Sequence, residues 1–552
     1  MKTTLLLCLS AFFAVPGISF AQDSGNQAHL EASGLYGGTT LTIRLRSTEI
    51  GQPAALVFGQ PTVISHPAPD PVQLVALQNA HIHQGVIGAE GELRLEYPLP
   101  AQPVMPGRRL FGQGFVFNRL GHYQASGRIA LKGETQKTVS WADGHASLPA
   151  SNLNDSGSDV EAFDYDRDGD QDLLVSNRTS FLLYTNDGSG SFTDETATRL
   201  LSDNVGAFVS GVLDVDLDGD LDFVSCGTLD ANGNSVSPML FKNDGTGVFT
   251  KTQDLVIPMN DSDNIIIGDL NSDGWPDVMI GAGSAYGGSG MPHQLVSLFL
   301  NQSGTLVLDA ATETAAWNSN DEDWLSGDCG DVDRDGDLDL YFAMSGPGGC
   351  PNILLLNDGF GSFTDVSATH LPDMNYGDGD KSSTARLLDM NGDGWLDVVV
   401  ANSHLTTNAQ DTGDLLFNSG SAAPGVFVDA PNNWLATNDP ELIVNLGLTL
   451  GDVDMDGDND IILHPSEWFG TGFPPFVGHP TLFLNQGGAQ GGVIGEFVKD
   501  HAFWTPGPMV TFFTYYGALF DADSDGDLDF YTPSYGGIVD PSKTQDYLMI
   551  NR

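Results

Sequence analysis

The sequence predicts an all-β molecule, a seven-bladed β-propeller preceded by a small β-sandwich. Three observations carry this expectation. A nine-residue motif, D-x-[DN]-x-D-G-x-x-D, recurs seven times, with starts 50 to 69 residues apart. Each copy sits in the same order of short apolar runs and Asn- and Gly-rich turns. The two ends of the repeated region are complementary, one carrying a strand-like piece that the other lacks. A period of this size with several strands per unit points to a propeller rather than a helical solenoid.

Composition bounds what the chain does. Of 552 residues, 40% are hydrophobic, enough for a packed core. Lys and Arg number 21 against 73 Asp and Glu, a formal charge of −52. Such a surface repels phosphate backbones and anionic lipid headgroups, which argues against nucleic acid or an acidic membrane as partner. It suits solubility and cation binding.

From the N-terminus, residues 1–21 read as a signal peptide. Lys2 is basic, Leu5 to Val15 is apolar but too short to span a bilayer, and Ser19-Phe20-Ala21 supplies small residues for cleavage. The expected location is therefore outside the cell or at its surface. Cys8 falls in that leader, leaving Cys226, Cys329 and Cys350. An odd count is not a disulfide framework, although Cys329 and Cys350 flank one motif and a bond between them is left open. Residues 22–133 contain alternating segments such as TTLTIRLRS (39–47) and LFGQGFVFN (110–118), separated by Gly and Pro turns, and read as the β-sandwich. The propeller begins near residue 138, after the linker-like KGETQKT (132–138).

The motif copies come next. The first places Asp164, Asp166, Asp168, Asp170 and Asp172, and the second Asp214, Asp216, Asp218, Asp220 and Asp222. The third has Asp269, Asn271, Asp273, Trp275 and Asp277, and the fourth Asp331, Asp333, Asp335, Asp337 and Asp339. The fifth has Asp389, Asn391, Asp393, Trp395 and Asp397. The sixth has Asp452, Asp454, Asp456, Asp458 and Asp460, and the seventh Asp521, Asp523, Asp525, Asp527 and Asp529. An apolar run follows each motif. Then come a second β-rich run (LLYTN at 182–186, ILLLN at 353–357, TLFLN at 481–485), a turn such as Asn357-Asp358-Gly359, and a short strand such as SFTDV at 362–366. Each unit thus reads as four antiparallel strands, A to D, with the motif as the A–B loop. YLMIN at 547–551 matches strand C with no strand D behind it, while VSWAD at 139–143 is a spare strand D before the first motif. The expectation is that this spare strand completes the seventh blade and closes the ring.

Asp and Gly favour turns, but turn preference does not call for five carboxylates in nine residues. Close carboxylate pairs repel by roughly 1 to 4 kcal/mol each, depending on screening. A bound cation relieves that repulsion. Ca²⁺ takes about six to eight oxygen ligands from a flexible loop. Positions 1, 3 and 5 offer side-chain oxygens, Gly at position 6 allows the turn, position 7 offers a carbonyl, and Asp at position 9 closes the cage. An EF-hand would need flanking helices and a Glu at position 12. Oxygen-only donors argue against zinc and copper, and Mg²⁺ prefers fewer protein ligands. Up to seven structural Ca²⁺ ions are expected.

With these loops, the apolar strand behind each and the Gly-Ala-Gly at 281–283, the repeats resemble FG-GAP/VCBS repeats over about three quarters of the chain. Those repeats build the seven-bladed propeller of integrin α subunits and of many secreted bacterial proteins. The resemblance implies Ca²⁺ held by the side chains of positions 1, 3, 5 and 9 and the carbonyl of position 7. Two departures from integrins, seven intact loops and no following transmembrane anchor, mean that receptor function is not implied. The N-terminal module is similar, more weakly, to β-sandwich segments of large secreted bacterial proteins.

A ligand is expected on the face opposite the motif loops, where the B–C and D–A connections are long. Trp468, Phe469, Phe473, Phe476, Trp504, Tyr515, Tyr516 and Tyr535 fall there and suit sugar rings or protein anchors, or else pack between loops and blades. His293, His370, His404, His464, His479 and His501 also fall there. The chain has no G-x-S-x-G nucleophile, H-E-x-x-H pair or phosphate-binding glycine loop. The expected function is a non-enzymatic binding or adhesion protein for an extracellular glycan or protein. The alternative is a polysaccharide lyase or hydrolase on the same scaffold.

Overall fold

In the computed structural model, strands between residues 29 and 132 are described as backbone, and most of residues 141–551 in full. Among the segments outside the described residues are 1–28, 282–295, 316–322, 373–381, 403–412, 432–444, 466–479, 504–514 and 535–545. The expected signal peptide, most of the aromatic candidates, and Cys350 therefore lie outside the described residues, as do His293, His404, His479 and His501. No described helix is long and apolar enough to cross a membrane.

Seven four-stranded antiparallel sheets form the propeller. Blade 1 has strands Gly157–Phe163, Asp172–Asn177, Ser180–Asn186 and Phe192–Asp194 in the order A-B-C-D. Blades 2 to 6 repeat it, with A strands at Val209–Leu213, Asn264–Gly268, Asp323–Gly330, Ser382–Leu388 and Asn445–Gly451. In blade 7, strands Ala518–Phe520, Asp529–Thr532 and Tyr547–Asn551 are completed by Trp141–Asp143 from before the first motif. The register is Trp141↔Asn551, Ala142↔Ile550 and Asp143↔Met549. The spare strand thus closes the ring as the sequence predicts.

The apolar runs after the motifs are continuous rather than alternating because each blade is covered on both faces. Strand B of blade 1 is buried along its whole length, as are those of blades 2, 3 and 5. The core is accordingly divided among the blade–blade contacts. Phe181, Phe223, Phe241 and Phe249 fill the contact between blades 1 and 2, and Trp141, Ile462, Phe503 and Phe530 that between blades 6 and 7. Val175, Tyr184, Phe520 and Tyr531 join blade 7 back to blade 1. Residues 29–132 pair into a three-stranded sheet, a four-stranded sheet and a two-stranded hairpin, all antiparallel.

Three side chains, those of His464, Tyr515 and Tyr516, fall differently from expectation or settle an open choice. His464 is not a loop residue: it lies in strand Asp460–Pro465, fully buried, with its Nε2 2.9 Å from Thr449 Oγ1. Burial pushes its pKa down to about 3, so it is a neutral core group. Tyr515 and Tyr516 are half-buried and pack with Phe208, Ile265 and Leu446, taking the packing role rather than that of an exposed platform. Cys226 and Cys329 are buried, the Cys329 Sγ 3.4 Å from the Ile267 carbonyl.

Candidate metal-binding loops

All seven motifs lie between strands A and B, and every position-9 aspartate is the first residue of strand B. Chain direction puts the A–B and C–D loops on one face of the ring. Position 1 anchors the loop: its Oδ2 accepts from the N–H of the position-6 glycine, at 2.8 Å for Asp164–Gly169, 3.0 Å for Asp214–Gly219 and 2.9 Å for Asp521–Gly526. Gly169, Gly219, Gly336 and Gly526 hold φ of 102°, 93°, 104° and 98° there. Position 4 also turns left-handed, with Arg167, Leu217, Ser272, Arg334 and Ser524 at φ between 56° and 64°. Two consecutive tight bends fold the loop so that its alternate carboxylates converge.

In blades 1, 4, 6 and 7 the carboxylates of positions 1, 3 and 9 each offer an oxygen, all within 4.8 Å of one another: Asp164, Asp166 and Asp172; Asp331, Asp333 and Asp339; Asp452, Asp454 and Asp460; Asp521, Asp523 and Asp529. In blade 2 the converging set is Asp214, Asp216 and Asp218. The Oδ1 atoms of Asp166, Asp216 and Asp331 are buried without a hydrogen-bond partner in the protein. In blades 3 and 5, Asn271 and Asn391 turn their Oδ1 to the position-5 N–H at 3.0 and 2.9 Å. The position-5 carboxylates of Asp168, Asp218, Asp273, Asp393 and Asp525 accept from the position-7 N–H at 2.9 to 3.1 Å. In blades 1, 2 and 5 the position-7 side chain faces the preceding blade instead. Asp220 pairs with Arg167, the Arg334 guanidinium stacks 4.0 Å from the Trp395 ring, and Ser524 reaches Asp170 at 3.4 Å. Asp456 lies outside the described residues.

Electrostatics follow from the crowding. Burial first, and neighbouring carboxylates in addition, push Asp277, Asp339, Asp397 and Asp529 up to about 8. Asp172, Asp222 and Asp460 are raised for the same reasons. Among the described residues, position 3 has a basic neighbour in three loops: Arg199 lies 2.7 Å from Asp166, Lys242 2.9 Å from Asp216, and His370, expected on the opposite face, acts on Asp333. An all-oxygen, anionic, partly desolvated cluster of this kind fits a hard divalent cation.

One set of residues escaped the motif reading. Every strand C ends in asparagine: Asn186, Asn243, Asn301, Asn357, Asn418, Asn485 and Asn551. Each backbone N–H donates to Oδ1 of the position-9 aspartate of its own blade, at 2.7 to 3.0 Å. Each Nδ2 donates to the carbonyl of motif residue 2 in the preceding blade: Asn243 to Tyr165, Asn301 to Val215, Asn357 to Leu270, Asn418 to Val332, Asn485 to Met390 and Asn551 to Val453, at 2.8 to 3.0 Å. Asn186 closes the circle onto Ala522 of blade 7 at 2.8 Å. The N–H of residue 2 in turn donates to Oδ2 of its own position-9 aspartate, at 2.8 to 3.2 Å. The signal in the sequence was the Asn that ends each strand-C run.

A family model for the FG-GAP-like repeat matches residues 164–225, 214–280 and 331–400. No curated protein sequence matches the chain. Among solved structures, the chain is similar to an Agrocybe aegerita lectin described as recognising non-reducing terminal N-acetylglucosamine. That match has 13% identity and a TM-score of 0.37, covering 88% of this chain and 96% of the lectin. It is also similar to the Photorhabdus luminescens Tc holotoxin pore (14% identity, TM-score 0.30, 77% of this chain and 17% of that one). A DUF4784 family protein from Bacteroides caccae matches with 12% identity and a TM-score of 0.28, covering 87% of this chain and 97% of that one.

Proposed function

We propose, from the premise that the chain is an FG-GAP repeat propeller, that it is an exported calcium-binding scaffold that presents its opposite face to an extracellular glycan or protein. The observation that supports calcium is the convergence of three carboxylates within 4.8 Å in each of five loops, with buried carboxylate oxygens left unsatisfied by the protein. Positions 1, 3, 5 and 9 would supply side-chain oxygens and position 7 its carbonyl, with Asn271 and Asn391 serving at position 3 in blades 3 and 5. A divalent cation there neutralises charge that burial otherwise penalises. Binding only the folded loops, it stabilises the fold by mass action. Even seven ions leave the molecule strongly acidic, which keeps it soluble outside the cell. Residues 1–21 are its export signal and residues 22–133 a separate β-sandwich module.

The test begins with calcium content. Purified protein carries several calcium ions per chain, and chelation lowers the melting temperature by many degrees. A melting curve unchanged after confirmed metal removal would sink the calcium reading. The loaded protein is then applied to a broad glycan array, with and without chelator. Calcium-dependent capture of one sugar class identifies the ligand as a glycan and supplies the substrate for a degradation assay. A blank array from folded, loaded protein moves the assignment to a protein ligand.

A further inference from the structure

We infer that the seven strand-C asparagines are positioning residues for the metal loop of the preceding blade, so that each loop is shaped for its ion by the blade that follows it. This rests on the calcium reading above. Residue 2 of each motif sits between the ligands at positions 1 and 3, so its orientation sets where both carboxylates point. That orientation is held from two sides. Its N–H is on the position-9 carboxylate of its own loop, as in Leu270 to Asp277 at 3.1 Å. Its carbonyl is held by a side chain one blade further on, as in Asn357 to Leu270 at 2.8 Å. The same asparagine has its own N–H on the position-9 carboxylate of its own loop, Asn357 to Asp339 at 3.0 Å. An ion that pulls Asp339 into its cage therefore draws on the residue that clamps Leu270 in the neighbouring loop.

The arrangement has a direction. A lesion at the asparagine of one blade disturbs the loop of the blade before it. All seven asparagines are less than a tenth exposed. The clamp is thus shielded from competing water, where loss of a donor leaves a buried carbonyl unsatisfied.

Two position-7 tryptophans make this measurable loop by loop. Trp275 belongs to the blade 3 loop, whose Leu270 carbonyl is clamped by Asn357. Trp395 belongs to the blade 5 loop, whose Met390 carbonyl is clamped by Asn485. The full chain is labelled with 5-fluorotryptophan and titrated with calcium, following the ¹⁹F line of each tryptophan. Asn357→Ala is expected to raise the calcium midpoint of the Trp275 line roughly tenfold, about the value of one buried hydrogen bond, and to leave the Trp395 line in place. Asn485→Ala is expected to do the reverse. Midpoints that do not move, or that move together in both variants, would overturn the inference while leaving calcium binding intact. Lines that ignore calcium in the unaltered chain would instead remove the calcium reading, and this inference with it. If an alanine variant does not fold, leucine at the same position keeps most of the side-chain volume and removes the Nδ2 donor, together with the Oδ1 that accepts from the Gly359 N–H in blade 4.

Discussion

At the scale of the single residue, the aspartate at position 9 holds the most connections in the motif. It opens strand B, is almost completely buried in all seven blades, and accepts at least one backbone N–H on each oxygen. Its proton affinity gives a test in the metal-free protein. The folded carboxyls of Asp277, Asp339, Asp397 and Asp529 titrate at about 8, against 3.8 for an ordinary aspartate. Between those values the fold keeps protons that the unfolded chain has released, so stability falls as pH rises through that window. In chelator the melting temperature should therefore drop between pH 5 and pH 8. With calcium, the cation takes the place of the proton and the drop should vanish. Equal melting temperatures at both pH values in chelator would contradict this. The aspartates themselves were legible in the sequence because their spacing is chemical. The burial of His464 was not, since Pro465 and the Gly- and Phe-rich segment after it disguise the end of a strand.

At the scale of the element, the A–B loop and strand A make opposite demands on glycine. Gly336 sits at φ 104°, and a Cβ added there meets nothing within 4 Å. Gly336→Ala should therefore cost only backbone strain, about 1 to 2 kcal/mol. Gly447, in strand A of blade 6, lies so close to the next blade that a Cβ would fall 1.5 Å from the Tyr515 carbonyl oxygen. Backbone cannot yield as a side chain does, so Gly447→Ala should lower the melting temperature well beyond Gly336→Ala. Thermal unfolding of the two variants in calcium checks the order. The motif announces the first glycine. The second is silent in the sequence, because its reason is a contact with a residue on another blade.

At the scale of the whole molecule, the number of blades, their strand order and the closing strand were all legible, because each repeats a local pattern or completes one. The contacts that make seven sheets one body were not. The asparagine clamp joins residues 78 to 98 positions apart, and 336 at the closure, and no local period encodes such pairs. Closure should carry much of the stability. Deleting residues 1–144 removes Trp141, which packs edge-on against Phe503 at 4.8 Å, and strips blade 7 of its outer strand. The shortened protein is expected to melt at a markedly lower temperature and to become sensitive to proteases at blade 7. An unchanged melting curve would mean that the closing strand is dispensable.

That closing strand also decides how the ring bears tension. Trp141 lies opposite Asn551, so a pull between residue 141 and residue 551 reaches the pair at the same end. Three paired residues would then peel apart one after another instead of sharing the load. The first of them is tethered sideways by the Asn551 side chain on the Val453 carbonyl. A propeller pulled between residues 141 and 551 would thus open at its seam while the other six blades stay wound.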